Sequence, residues 1–453
     1  MPDLVMEDVN TTNVQYHEYV QLEPFVHQVG GHSSMLRFND NTVCKPLIFR
    51  ERYFYETMPQ EMKEFTPQYR GVVEVSFVED DDGYVHLVAF APKKKSKRHL
   101  SPGSSPSSSG EGVQSDSDSE SNSTRTRSSR GFRMRRTGSI EIDINDDKVP
   151  VDTTTKDKDI LLSAGYNPWS LHCQKAQLTK MWKTKGTETH KFILLENLAS
   201  RYKMPCILDL KMGTRQHGDD ASEEKRKHQV RKCENTTSST LGLRICGMQV
   251  YQGKTGHYRC HNKYYGRRLS TDGVEQTLYE FLHNGYNVRT ELVAPVVDRL
   301  RRLHAMLSKQ NAFRFYSSSL LIMYEGGEPD SALMEDDEDS SMIYNEMSDE
   351  ACDLETEEED DSLGPLESDH QVDAALLPGH SSASSSSLAS KFSAKDLGPS
   401  SHVDARMIDF AHATHQGFRG DRTVHSGPDK GYLFGLENLI RMFERLKDRC
   451  SVN

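Results

Sequence analysis

What this chain has little of narrows it first. Hydrophobic residues make up 35% of its 453 positions. An ordinary globular domain has roughly 45–50%, so a good part of this chain cannot pack a core. No apolar run approaches the roughly 20 residues needed to span a bilayer, and no secretory leader pattern stands at the start. The 8 cysteines form no C-x-x-C pair and keep no regular spacing, which argues against a zinc module or a disulfide framework. There is no internal repeat and no G-x-G-x-x-G. The expectation is a soluble protein of a reducing compartment, cytoplasmic and nuclear, without a membrane span.

Charge is abundant but unevenly spread. The formal net charge is −12, yet residues 325 to 370 hold twenty Asp and Glu with no Lys or Arg, and setting those aside brings the remainder to +8. A basic folded part suits a polyanionic ligand, and solvated surface charge gives the same sum. The run Lys93-Lys94-Lys95-Ser96-Lys97-Arg98 reads as a nuclear import signal or a solvated linker rather than a specific nucleic-acid contact.

Composition divides the chain into seven stretches: an N-terminal tail at 1–20, a first folded part at 21–92, a Ser/Arg-rich linker without structure at 93–158, folded parts at 159–200 and 201–324, an acidic then Ser-rich insert at 325–400, and a last folded part at 401–453. Asn39-Asp40-Asn41 has turn chemistry between two strand-like runs, predicting a hairpin that ends at Val43-Cys44-Lys45-Pro46. Pro168 and Ser170 mark a helix start, and Phe192 to Glu196 reads as a buried strand leading into a connector. Leu433, Leu436, Ile440, Phe443 and Leu446 have helical spacing. Asp219 to Glu224 predicts another helix start, with Asp220 as N-cap and Glu223 at the third helical position. That helix carries Lys225, His228 and Lys232 on one face.

The stretch from Pro205 to Gly213, Pro-Cys-Ile-Leu-Asp-Leu-Lys-Met-Gly, is an apolar strand with one acid and one base two positions apart. Residues i and i+2 share a face, so Asp209 and Lys211 project together. On residue types alone this also describes a structural ion pair. As P-x-x-x-D-x-K-x-G, however, it resembles the signature of the inositol polyphosphate kinases, and Thr214-Arg215-Gln216-His217-Gly218-Asp219-Asp220-Ala221-Ser222 is similar to the inositol hexakisphosphate kinase branch. The resemblance extends to Lys45, to Leu195-Glu196-Asn197-Leu198, to Ser317-Ser318-Ser319-Leu320-Leu321 and to Met407-Ile408-Asp409-Phe410-Ala411-His412.

The resemblance implies an α+β, two-lobed kinase fold, protein-kinase-like or ATP-grasp-like; it does not cover the Ser/Arg-rich linker or the acidic insert, which composition alone reads as two long disordered inserts. It implies an ATP- and Mg²⁺-dependent kinase that phosphorylates inositol hexakisphosphate, at the 5-position, and inositol pentakisphosphate as well. It places Lys45 on the ATP phosphates with Glu51 as orienting partner, Glu196, Asn197 and Leu198 at the adenine, and Asp409 on the metal. Asp209 and Lys211 become the catalytic pair, Asp209 on the ribose hydroxyls and Lys211 on the transferring phosphoryl group. Pro205, Gly213, Arg215, His217, Lys225 and Lys232 become the substrate site. Two alternatives stay open: a kinase of the same family acting on an inositol hydroxyl, and a scaffold that recruits protein partners through its acidic insert.

Overall fold

The computed structural model describes residues 19–31, 34–80, 84–90, 132–135, 140–144, 147–150, 167–183, 190–327, 403–418, 421 and 423–451. Two antiparallel sheets organise them. The first has ten strands: β1 (Tyr19–Gln21), β2 (Glu23–Pro24), β3 (Leu36–Asn39), β4 (Thr42–Pro46), β5 (Tyr69–Glu79), β6 (Tyr84–Phe90), β7 (Phe132–Arg135), β8 (Ile140–Ile144), β9 (Asp147–Pro150) and β10 (His190–Glu196). Their order is β2-β3-β4-β10-β5-β6-β7-β8-β9, with β1 beside β6. The second has five: β11 (Pro205–Met212), β12 (Leu243–Gln252), β13 (His257–His261), β14 (Ser319–Glu325) and β15 (Asp404–Ile408), in the order β13-β12-β11-β14-β15. The expected hairpin is β3-β4, with its turn at 40–41.

Three strands, β7 to β9, lie inside the stretch 93–158 that composition had marked as structureless, and for 132–135, 140–144 and 147–150 that expectation is corrected. Ile140, Ile142 and Ile144 alternate with acids, the period-two pattern of a strand. Averaging over a long Ser/Arg-rich window hides so short a signal. The rest of that stretch, and the acidic insert from 328 to 402, fall outside the described residues.

Among the described residues eight α-helices complete the fold: α1 (Phe49–Thr57), α2 (Pro168–Lys183), α3 (Glu223–Glu234), α4 (Thr237–Leu241), α5 (Lys263–Arg267), α6 (Thr271–Leu282), α7 (Val293–Leu307) and α8 (Lys430–Ser451). The β11 residues split strictly by parity: Cys206, Leu208, Leu210 and Met212 face a core shared with α6, α7 and α8, while Ile207, Asp209 and Lys211 face the other way. β14 divides likewise, while in β12 a register shift opposite Asp209–Leu210 changes the parity, so that Leu243 and Ile245, then Met248 and Val250, face the core; the second sheet has one dry face and one functional face.

In α8, Tyr432, Leu436, Leu439, Phe443 and Leu446 are buried at helical spacing. Asp429 starts the helix, one carboxylate oxygen accepting from the Tyr432 amide at 3.0 Å and the other from the Phe315 amide at 2.9 Å. The cap expected at Asp220 for α3 is corrected: Ser222 is the N-cap and accepts from the Lys225 amide, so Glu223 is the first helical residue. Asp220 instead reaches Arg50 of α1 at 3.4 Å. Among the described residues no helix is long and apolar enough to cross a membrane.

Candidate active site

The functional face of the second sheet looks onto the end of β4 in the first, and the charged side chains of the two meet there. Lys45 projects from β4, 7% exposed. Its Nζ donates to Glu51 Oε1 of α1 at 2.8 Å and to Asp409 Oδ1 at 2.6 Å. Asp409 Oδ2 stands 3.8 Å from Lys211 Nζ, so one carboxylate bridges two lysines from different sheets. The Asp409 backbone is left-handed, with φ 66°, a conformation that costs a non-glycine residue energy and recurs at functional positions. Two acids beside Lys45 outweigh its burial and hold its ammonium firmly protonated, while burial raises the Glu51 carboxyl.

Asp209 is 3% exposed, and one of its oxygens, Oδ1, has no hydrogen-bond partner. Burial pushes its pKa up to about 6; Lys211 pulls it down and Asp409 pushes it up further. The turn at 28–31 lies directly over it: a Cβ on Gly30 would stand 2.0 Å from Asp209 Oδ2. Only glycine lets the backbone come that close.

The serine run supports this pair, a function its sequence did not disclose. The Ser317 carbonyl accepts from Lys211 Nζ at 2.6 Å, and Ser319 of the neighbouring β14 acts to lower the Asp209 pKa. Ser318 turns its hydroxyl back onto the Phe315 carbonyl.

The connector after β10 is structured by its own side chains. Asn197 Nδ2 donates to the Asp40 carbonyl at 2.7 Å, and its Oδ1 accepts from the Ala199 amide at 3.1 Å. The Asn197 side chain therefore pins the β3-β4 turn to the connector. The Glu196 side chain accepts from the Gln68 amide at 3.1 Å and faces Arg201 at 3.7 Å. Leu198 packs with Val29, Ile207 and Met323 in an apolar cluster that Ile408 joins at its edge.

The expected substrate residues do not all converge. Pro205 sits at the far end of β11, six residues from Lys211, which at about 3.3 Å per residue is ~20 Å away. It is paired there with Glu325. Its place in the substrate site is corrected: it starts the strand. Gly213, with φ 94°, ends the strand and lines a cavity of about 330 Å³ together with Thr214, Arg215, Arg314, Tyr316 and Lys430. Arg215 is committed to its own loop, donating to the His217 carbonyl at 3.1 Å and to Asp219 at 2.7 Å, with its guanidinium over the Tyr316 ring.

His217 is buried, and burial followed by Arg215 lowers its pKa below 6.5. That favours the neutral imidazole, which can offer a phosphate one N–H donor but no charge. Lys225 and Lys232 are both half-buried on α3. They flank Gln229 and Cys233, the two residues that α3 buries.

Two contributors were not anticipated. Arg50 of α1 reaches across to Asp421 at 2.8 Å and stacks over Phe418. Arg244 of β12 lies directly opposite Lys211. A lone arginine in the apolar run Leu241-Gly242-Leu243-Arg244-Ile245 is the same kind of signal that drew attention to Asp209 and Lys211.

Comparison with known proteins follows this geometry. A family model described as inositol polyphosphate kinase matches residues 192–444. The chain is 46% identical over 445 residues to inositol hexakisphosphate kinase 1 of Mus musculus, covering 95% of this chain and 94% of that protein. It is 40% identical over 441 residues to inositol hexakisphosphate kinase 3 of Homo sapiens, covering 95% and 96%. Among solved structures, the inositol phosphate multikinase of S. cerevisiae in complex with ADP and Mn²⁺ is similar at 23% identity with a TM-score of 0.37, over 57% of this chain and 84% of that one.

Proposed function

Since the chain belongs to the inositol polyphosphate kinase family, we propose that it transfers the γ-phosphoryl group of ATP to a phosphate of inositol hexakisphosphate, at the 5-position, giving a diphosphoinositol pentakisphosphate. The curated relatives that match 95% of the chain at 40–46% identity bear the name inositol hexakisphosphate kinase. The observation that carries the reading is the Asp409 carboxylate standing between Lys45, at 2.6 Å, and Lys211, at 3.8 Å, beside a buried Asp209.

Phosphoryl transfer between anions needs positioning and charge neutralisation more than covalent help from the protein. A phosphate acceptor is already ionised near neutral pH, so no base has to remove its proton. Asp209 is then free to accept from the ribose hydroxyls of ATP, a role that its unpartnered Oδ1 suits. Lys45 neutralises the ATP phosphates, and Lys211 stands where the migrating group passes to its acceptor. The Leu198 cluster offers an apolar seat for the adenine.

Mg²⁺ is held through one or two carboxylates together with substrate phosphates. Asp409 fits that pattern, and among the described residues no group of three or more ligating side chains occurs. The metal neutralises phosphate charge when bound. Lys225 and Lys232 remain the best-placed cations of α3 for the other substrate phosphates. The acidic segment is assigned to basic protein partners, and the enzyme to cytoplasm and nucleus.

Purified protein with Mg-ATP and a panel of inositol phosphates, resolved by anion exchange, tests the reading. Inositol hexakisphosphate should be converted to a more strongly retained product. Conversion of a less phosphorylated inositol alone would move the activity to a hydroxyl acceptor, and no conversion of any member would remove the kinase assignment.

A further inference from the structure

Arg244 is 7% exposed. It lies on the functional face of the second sheet, directly opposite Lys211 across the β11-β12 pair, and such side chains are neighbours about 5 Å apart at Cβ. The other cations of this face are matched: Lys211 has Asp409 and Arg406 has Asp404. Among the described residues no carboxylate lies within ion-pair reach of Arg244. Its hydrogen bond goes from Nη1 to the hydroxyl of Ser238 in α4, at 3.2 Å. Asp209 feels its charge, but Lys211 and Asp409 act on that carboxyl more strongly.

A guanidinium has five donors, and burying it with so little compensation is costly, to the point that an apolar replacement of similar volume is often neutral or stabilising. A fold that keeps such a group gains nothing in stability from it. Its surroundings point to an anion. On one side is Lys211. On the other is the inner face of α3, where the Cys233 thiol feels the Arg244 charge and where Lys225 and Lys232 border the buried stripe. Arg244 thus forms the floor between the transfer point and the helix assigned to substrate phosphates. Its planar fork matches two phosphate oxygens at once, which a lysine cannot do.

We propose that Arg244 is a substrate-binding residue of the acceptor site, taking one phosphate group of the inositol phosphate from beneath while Lys211 meets the transferring group. The inference rests on the kinase reading and adds to it a residue that pairs with the acceptor rather than with the nucleotide.

The test compares full-length wild type with Arg244→Met and Arg244→Lys. It measures melting temperature alone, with inositol hexakisphosphate and with Mg-ADP, and KM for both substrates. Arg244→Met should melt at or above the wild-type temperature without ligand, lose most of the shift produced by inositol hexakisphosphate, and keep the shift produced by Mg-ADP. Loss of a charge-assisted pair should raise KM for the inositol phosphate about tenfold or more, with KM for ATP little changed. Arg244→Lys should lie between the two.

A lower melting temperature with both ligand shifts intact would make Arg244 a packing residue and overturn the proposal, as would equal losses for both ligands. If Arg244→Met does not fold, Arg244→Lys decides: a KM change confined to the inositol phosphate supports the proposal, and its absence overturns it. A wild-type protein that neither binds nor turns over inositol hexakisphosphate removes the kinase reading itself, whereas active variants indistinguishable from an active wild type remove only the role of Arg244.

Discussion

Asp209 can be followed through pH. Its carboxyl is raised from 3.8 to about 6, chiefly by burial. Between those values the folded protein holds a proton that the unfolded chain has released. Stability therefore falls as pH rises through that window, and the whole penalty is in place above about 6. Accepting from ribose hydroxyls, by contrast, is best served by the ionised form. The wild type should lose affinity for ATP as pH drops through about 6, and Asp209→Asn should be flatter over the same range. The variant should also gain melting temperature relative to wild type above that pH. Comparing the two proteins cancels the titration of the nucleotide. Parallel pH profiles would show that Asp209 does not govern this step.

At this scale the sequence was most legible where a charge interrupts an apolar strand, as at Asp209, Lys211 and Lys45. It was least legible where backbone does the work: nothing in Ser317 announces that its carbonyl holds Lys211, and nothing in Gly30 announces that it covers Asp209. Both contacts depend on strands far apart in the chain.

Elements with a strong period were readable: β3-β4 from its turn, β11 from its alternation, α8 from its spacing. Misplaced features trace to local competition. Asp220 and Ser222 are both good N-caps, and the choice fell to Ser222 because Asp220 is drawn toward Arg50. His217 looks basic in sequence, but the fold buries it beside Arg215.

Helix α3 turns Gln229 and Cys233 inward and sets Lys225 and Lys232 at the border of that stripe. Charge reversal at Lys225 plus Lys232 should therefore raise KM for the inositol phosphate far more than KM for ATP, since the apolar cluster around Leu198 belongs to other elements. Equal changes in both constants, or none in either, would return α3 to the role of a solvated face.

At the scale of the molecule, the described residues form two sheets that share one charged cluster, with long stretches of sequence spliced between their strands. β14 and β15 pair antiparallel, Met323 opposite Asp404, so the chain leaves and re-enters the second sheet at one end. Flexible loops between fixed ends cost only about 0.6 kcal/mol per doubling of length. Replacing residues 329–400 with a short turn should leave melting temperature and turnover close to wild type and, on the proposed role of that segment, should remove binding of basic protein partners. Insoluble or inactive protein would show that this segment belongs to the folded body.

The central claim is that Lys211, set between the two sheets, stabilises phosphoryl transfer to a phosphate acceptor. Its most direct test is turnover of inositol hexakisphosphate by wild type and Lys211→Ala side by side, with the fold checked by melting temperature. Removing a preorganised charge at the transfer point costs on the order of 3 kcal/mol, so the variant should be slower by about a hundredfold or more, while the fold survives the loss of a half-buried side chain. Near wild-type turnover by a folded Lys211→Ala protein would contradict the account.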